Sequence, residues 1–125
     1  MELTGSLYKV MSSFSSDEGQ GFLVRFDPGH DIYKAHFPGE PVTPGACILQ
    51  AAQELLSLSE GHPLVVENAR NVKFLKIIVP FVTPEVRFLF RNVERDGEVV
   101  SAAVTVIDDE GTVYARMSLK CRTVS

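Results

Sequence analysis

His36 is one of three histidines in the chain, and the residues after it suit acid–base chemistry on a carbonyl compound. The string His36-Phe37-Pro38-Gly39 is followed by Pro41 and then by Pro44-Gly45. These turns hold an imidazole that titrates near neutrality just before an apolar segment with helical spacing. A helix beginning there has free backbone N–H groups in its first turn. Pro44 has no N–H, so the first donors come from Gly45, Ala46 and Cys47. Gly45 carries no side chain to block approach. Donors at the positive end of a helix dipole suit a carbonyl that gains negative charge, with His36 as the base. Each residue also has a plainer use. His36 can hold the turns of its loop together, and Gly45 can serve close packing at the helix entry.

The elements that must position these residues are legible around them. A helix is expected over 44–60, with Thr43 as N-cap, Pro44 at the first helical position and Gly61 ending it. At about 1.5 Å per residue it is roughly 25 Å long. Ile48, Ala51, Ala52, Leu55 and Leu58 form a broad apolar surface, widened by Ala46, Cys47, Leu49 and Leu56. Gln50, Glu54 and Ser57 make a narrow polar stripe flanked by Gln53 and Glu60, which suits a solvated face or a subunit interface. A helix this apolar must be wrapped by other elements. Phe22, Val24 and Phe26 alternate with Leu23 and Arg25 after a turn-rich stretch at 15–21, and strands are expected at 72–79, 86–93, 99–107 and 112–122. Asp96-Gly97 and Glu110-Gly111 mark two tight hairpins, so the last three strands should form an antiparallel meander. Residues 1–125 read as one α+β domain, an antiparallel sheet curled around one long central helix. Such a sheet leaves an edge that invites a second subunit.

Composition narrows the function classes. Hydrophobic residues make up 45% and charged residues 22%, the profile of a folded globule. A net charge of -4 argues against nucleic acid or a membrane surface as partner. Met1 to Gly5 lacks a basic start and apolar run, and no apolar stretch reaches the roughly 20 residues needed to span a bilayer, so a cytoplasmic protein is expected. Cys47 and Cys121 lie in unlike segments, which makes a disulfide framework improbable. The histidines do not cluster with them at metal-ligand spacing, and neither metal nor cofactor is expected.

His36-Phe37-Pro38-Gly39, Pro41 and Pro44-Gly45 entering an apolar helix resemble the signature of the 3-hydroxyacyl-(acyl-carrier-protein) dehydratases of the hot-dog superfamily. The resemblance is densest from Phe26 to Leu56, and residues 73–80 resemble the family's following strand and turn. It implies a hot-dog fold. It implies that His36 abstracts the proton beside a thioester carbonyl and that the Gly45 N–H polarises that carbonyl. It further implies a homodimer or higher oligomer with the site between two subunits, an acyl tunnel beside the central helix, and substrate carried on the phosphopantetheine arm of an acidic acyl carrier protein. The family has a carboxylate 14 residues after its histidine; this chain has Gln50 there, and Glu54 one helical turn later, where the family often has glutamine. An amide cannot deliver a proton at neutral pH. Since i and i+4 side chains are neighbours, Glu54 is expected to supply the acid, with Gln50 orienting it.

The expected reaction is dehydration of a 3-hydroxyacyl thioester to the trans-2-enoyl thioester, in fatty-acid or related lipid or polyene synthesis. Two alternatives use the same residues: a hot-dog thioesterase in which Gln50 or Glu54 positions water, and a non-catalytic dehydratase-like partner subunit.

Overall fold

A computed structural model describes residues 2–35 and 41–124. His36 and the four residues after it lie outside the described residues.

The chain runs β1 (Tyr8–Ser16), β2 (Gly19–Phe26), α1 (Ile32–Ala35), α2 (Gly45–Glu60), β3 (Leu64–Phe74), β4 (Glu85–Asp96), β5 (Val99–Ile107) and β6 (Val113–Thr123). The strands make one six-stranded sheet in the order β1-β2-β4-β5-β6-β3, every neighbouring pair antiparallel. The period-two pattern explains which face is covered. In β6, Ala115, Met117, Leu119 and Cys121 are buried, while Arg116, Ser118, Lys120 and Arg122 are exposed. Phe22, Val24 and Phe26 of β2, Val86, Phe88 and Phe90 of β4, and Val100 to Val106 on alternate positions of β5 join them in one core. Into this face α2 sets Ile48, Ala51, Ala52, Leu55 and Leu56. The α+β arrangement expected from the sequence is therefore present.

Four details depart from expectation. The third strand is Leu64–Phe74, not 72–79. It is an edge strand with two register shifts, and Asn71 takes a positive φ of 53° between Arg70 and Lys73. These bulges break the alternation that would have marked the strand. The apolar run after it loops across the sheet, with the Leu75 and Lys76 N–H groups donating to the Tyr114 carbonyl. The hairpin at Glu110-Gly111 is not tight: β5 and β6 close at Ile107 opposite Val113, and Asp108 accepts from the Glu110 and Thr112 N–H groups inside the loop. The N-cap of α2 is Pro44, with no side-chain cap. Thr43 is buried instead, its hydroxyl 2.9 Å from that of Tyr33. Leu58, assigned to the apolar surface, is 59% exposed. The far end of α2 is as expected, closed by Gly61 in the left-handed region at φ 82° with its N–H on the Ser57 carbonyl.

Candidate functional site

The polar face of α2 is not a solvated stripe; each side chain has a partner within the chain. Gln53 Oε1 accepts from the Val66 N–H at 3.2 Å, and Ser57 Oγ accepts from the Leu64 N–H at 3.1 Å. These two bonds clamp the start of β3 to the helix. Glu60 accepts two bonds from Arg95, at 2.5 and 2.7 Å, with its own side chain only 5% exposed. The Arg95 guanidinium holds the Glu60 carboxyl below its ordinary range.

Glu54 is the most heavily bonded of the set. Its Oε1 accepts from the Thr4 N–H at 2.8 Å and the Tyr8 hydroxyl at 2.9 Å; its Oε2 accepts from the Leu3 N–H at 2.8 Å and from Gln50 Nε2 at 2.9 Å. Leu3, Leu7 and Tyr8 are buried, so the N-terminal turn is packed down as well as hydrogen-bonded. Burial, then the Glu54 charge, pushes the Tyr8 phenol far above its usual range. A cleft of about 570 Å³ opens here, with Tyr8, Gln50, Glu54, Leu58 and His62 among its walls. The expected pairing of Gln50 with Glu54 is present. The expected proton-donor role for Glu54 meets a carboxylate whose oxygens are both engaged by donors.

Gly45 opens on a different cleft, of about 350 Å³, walled by Thr43, Ile48, Phe74, Lys76 and Ile78. A Cβ on Gly45 would come within 2.7 and 2.8 Å of the Phe74 ring. The packing use of this glycine is thus real. At the helix start, Cys47 N–H is already spent on the Pro44 carbonyl at 3.0 Å. The Gly45 and Ala46 N–H groups have no acceptor among the described residues. Burial pushes the Cys47 thiol up, away from reactivity.

Of the sequence-predicted residues, then, the structure brings Gln50 and Glu54 together and sets Gly45 on a second cleft of the same chain. Tyr8 and Phe74 were not foreseen. Tyr8 reads in sequence only as a strand start, 46 residues from Glu54. Among the described residues no helix is long and apolar enough to cross a membrane.

Residues 13–113 match the ApeI-like family, described as ApeI dehydratase. The 3-hydroxyacyl-[acyl-carrier-protein] dehydratase FabZ of Latilactobacillus sakei is 29% identical over 94 residues, 70% of this chain and 66% of the relative, so the chain spans just under two thirds of that enzyme. Among solved structures, the dehydratase heterocomplex ApeI:P of Xenorhabdus doucetiae superposes with a TM-score of 0.64 at 14% identity, covering 91% of this chain and 96% of the other. A hypothetical thioesterase of Streptococcus pneumoniae, solved with coenzyme A, superposes with a TM-score of 0.65 at 10% identity, covering 99% and 94%. At these identities the superpositions establish the fold, which is the hot-dog fold. The sequence match covers most of the chain, including the segment from His36 to Glu54, and the chain belongs to the ApeI-like dehydratase family.

Proposed function

We propose that the protein dehydrates 3-hydroxyacyl groups carried as phosphopantetheine thioesters on an acyl carrier protein, giving trans-2-enoyl thioesters. The observation that carries this reading is the pair of N–H groups at Gly45 and Ala46, without an acceptor among the described residues, at the start of a helix inside the matched region. In the proposed reaction the Gly45 N–H stabilises the thioester oxygen as charge builds on it. His36 takes the proton from the carbon beside the carbonyl. The electron pair forms the new double bond, the C3–O bond breaks, and the hydroxyl leaves as water with the proton returned from the imidazolium. Gln50 hydrogen-bonds the departing oxygen, and Glu54 supports Gln50.

The assignment calls for a homodimer. Gly45 and Gln50 lie on separate clefts of one chain, so a complete site calls for a second copy that sets one cleft against the other. The edge strand β3 and the segment after it expose Phe74, Leu75, Ile77, Phe81 and Val82, an apolar surface suited to a partner. Lys73 and Lys76 are exposed beside it and suit an acidic carrier.

A second reading is a thioesterase. It is favoured by one observation: the carboxylate of Glu54 is saturated, and Gln50 can position water without donating a proton. Incubation with a 3-hydroxyacyl carrier thioester separates the readings. Enoyl product supports the dehydratase, free thiol the thioesterase, and neither product a non-catalytic partner subunit.

A further inference from the structure

We infer that Tyr33 is a positioning residue: it holds the Thr43 hydroxyl away from the start of α2, and so keeps the Gly45 and Ala46 N–H groups open to the thioester oxygen. This rests on the dehydratase reading, which sets a thioester carbonyl at Gly45, and specifies how the chain keeps its own side chain from consuming those donors.

Thr43 stands two residues before Gly45 and three before Ala46. A threonine so placed is of the type whose Oγ1 accepts from main-chain N–H groups two or three residues on. Here that bond is not made. The helix has no side-chain cap, and the residue in the cap position, Pro44, has an extended ψ of 143°. The Thr43 hydroxyl lies instead 2.9 Å from the Tyr33 hydroxyl, and both residues are buried. The Thr43 N–H donates to the Ile78 carbonyl at 2.9 Å. Its main chain is thereby tied to the segment between β3 and β4, and the side chain alone is left to turn.

Burial decides where that side chain turns. A buried hydroxyl without a partner has lost its hydration and gained nothing in return, a cost large enough to select a rotamer. Burial also raises the Tyr33 phenol, so it pairs as a neutral hydroxyl. With the phenol oxygen removed, the nearest partners along the chain are the Gly45 and Ala46 N–H groups, which have no acceptor among the described residues. Thr43, Gly45 and Ile78 wall the same cleft of about 350 Å³. A Thr43 hydroxyl turned onto Gly45 would take from the substrate both the donor and the space beside it. Tyr33 reaches Thr43 from α1 and is not itself among the walls of this cleft. It acts on the site only through Thr43.

The test uses the full chain, nitrogen-labelled, and follows the Gly45 and Ala46 amides beside steady-state kinetics. In the wild type both amides should exchange fast with solvent and show the steep temperature dependence of unbonded protons. In Tyr33→Phe one of them should become bonded: its signal moves downfield, its temperature dependence flattens and its exchange slows. The same variant should lower kcat on a 3-hydroxyacyl carrier thioester about tenfold with KM little changed, because the donor acts on charge that builds in the transition state. Tyr33→Phe combined with Thr43→Val removes the competing hydroxyl, and both the amide signals and kcat should return most of the way to the wild type. A merely structural Tyr33 predicts the opposite, a double variant worse than the single one. Bonded amides in the wild type overturn the inference without need of a variant, as do unchanged amide signals in Tyr33→Phe or a double variant that recovers nothing. Should the wild type turn over no hydroxyacyl thioester, the dehydratase reading fails, while the amide signals still decide whether Tyr33 holds Thr43 off the helix.

Discussion

Gly45 lies under Phe74 so closely that a Cβ would sit 2.7 Å from the ring. The glycine that opens α2 thus packs directly against that ring. Phe74 is 51% exposed, so its ring can swing outward. Gly45→Ala should therefore cost little stability, because the atoms in the way are the far end of a movable, half-exposed ring. Its turnover should fall at least tenfold, since the new methyl and the moved ring occupy the cleft where the thioester is proposed to lie. Chemical denaturation beside steady-state kinetics checks both halves.

The bond between Glu60 and Arg95 predicts a pH dependence of stability. Arg95 holds the Glu60 carboxyl lower in the folded chain than in the unfolded one. Its contribution is complete above about pH 4.3, the ordinary glutamate value, and fades as pH falls through the lowered folded value. Arg95→Ala should lose stability at neutral pH and show a shallower acid limb. Because Arg95 is 61% exposed, solvent screens the pair and the loss should stay near 1 kcal/mol. Urea midpoints at a series of pH values measure it.

Tyr8 gives the opposite sign. Its phenol is raised in the folded chain by burial and by Glu54. The stability it contributes is complete below about pH 10, the unfolded phenol value, and is lost progressively above it. Tyr8→Phe should remove this alkaline component and cost about 1 kcal/mol at neutral pH for the lost hydrogen bond. Phenolate absorbance from Tyr8 should emerge only with unfolding.

Much of this arrangement could be read in the sequence, and the exceptions share a cause. The helix and the strands from β4 to β6 show because one face of each is buried and the period follows. β3 does not show, because an edge strand with bulges has no single buried face to impose alternation. The Gln50–Glu54 pair shows because it is local, one turn along a helix. The bond from the Leu3 N–H spans 51 residues and uses a main-chain donor, which leaves no mark in the sequence. Thr43 suited an N-cap by type, but tertiary packing gave its hydroxyl to Tyr33.

The apolar segment after β3 predicts assembly. Ile77 and Phe81 are 62% and 69% exposed, so replacing them should not disturb the fold of one chain. Ile77→Asp with Phe81→Asp should leave the circular dichroism unchanged and convert a dimer to monomer in sedimentation velocity. Turnover should disappear with the dimer.

The central claim is that this chain carries out dehydration with Gln50 in place of an acid. The most direct test is the product formed from a 3-hydroxyacyl thioester on a carrier protein, followed by mass of the acyl group and by free thiol, with His36→Ala as control. The account predicts loss of one water from the acyl group, no thiol release, and no reaction in the control. Thiol release without loss of water, or an unchanged acyl group at full carrier loading, would contradict it.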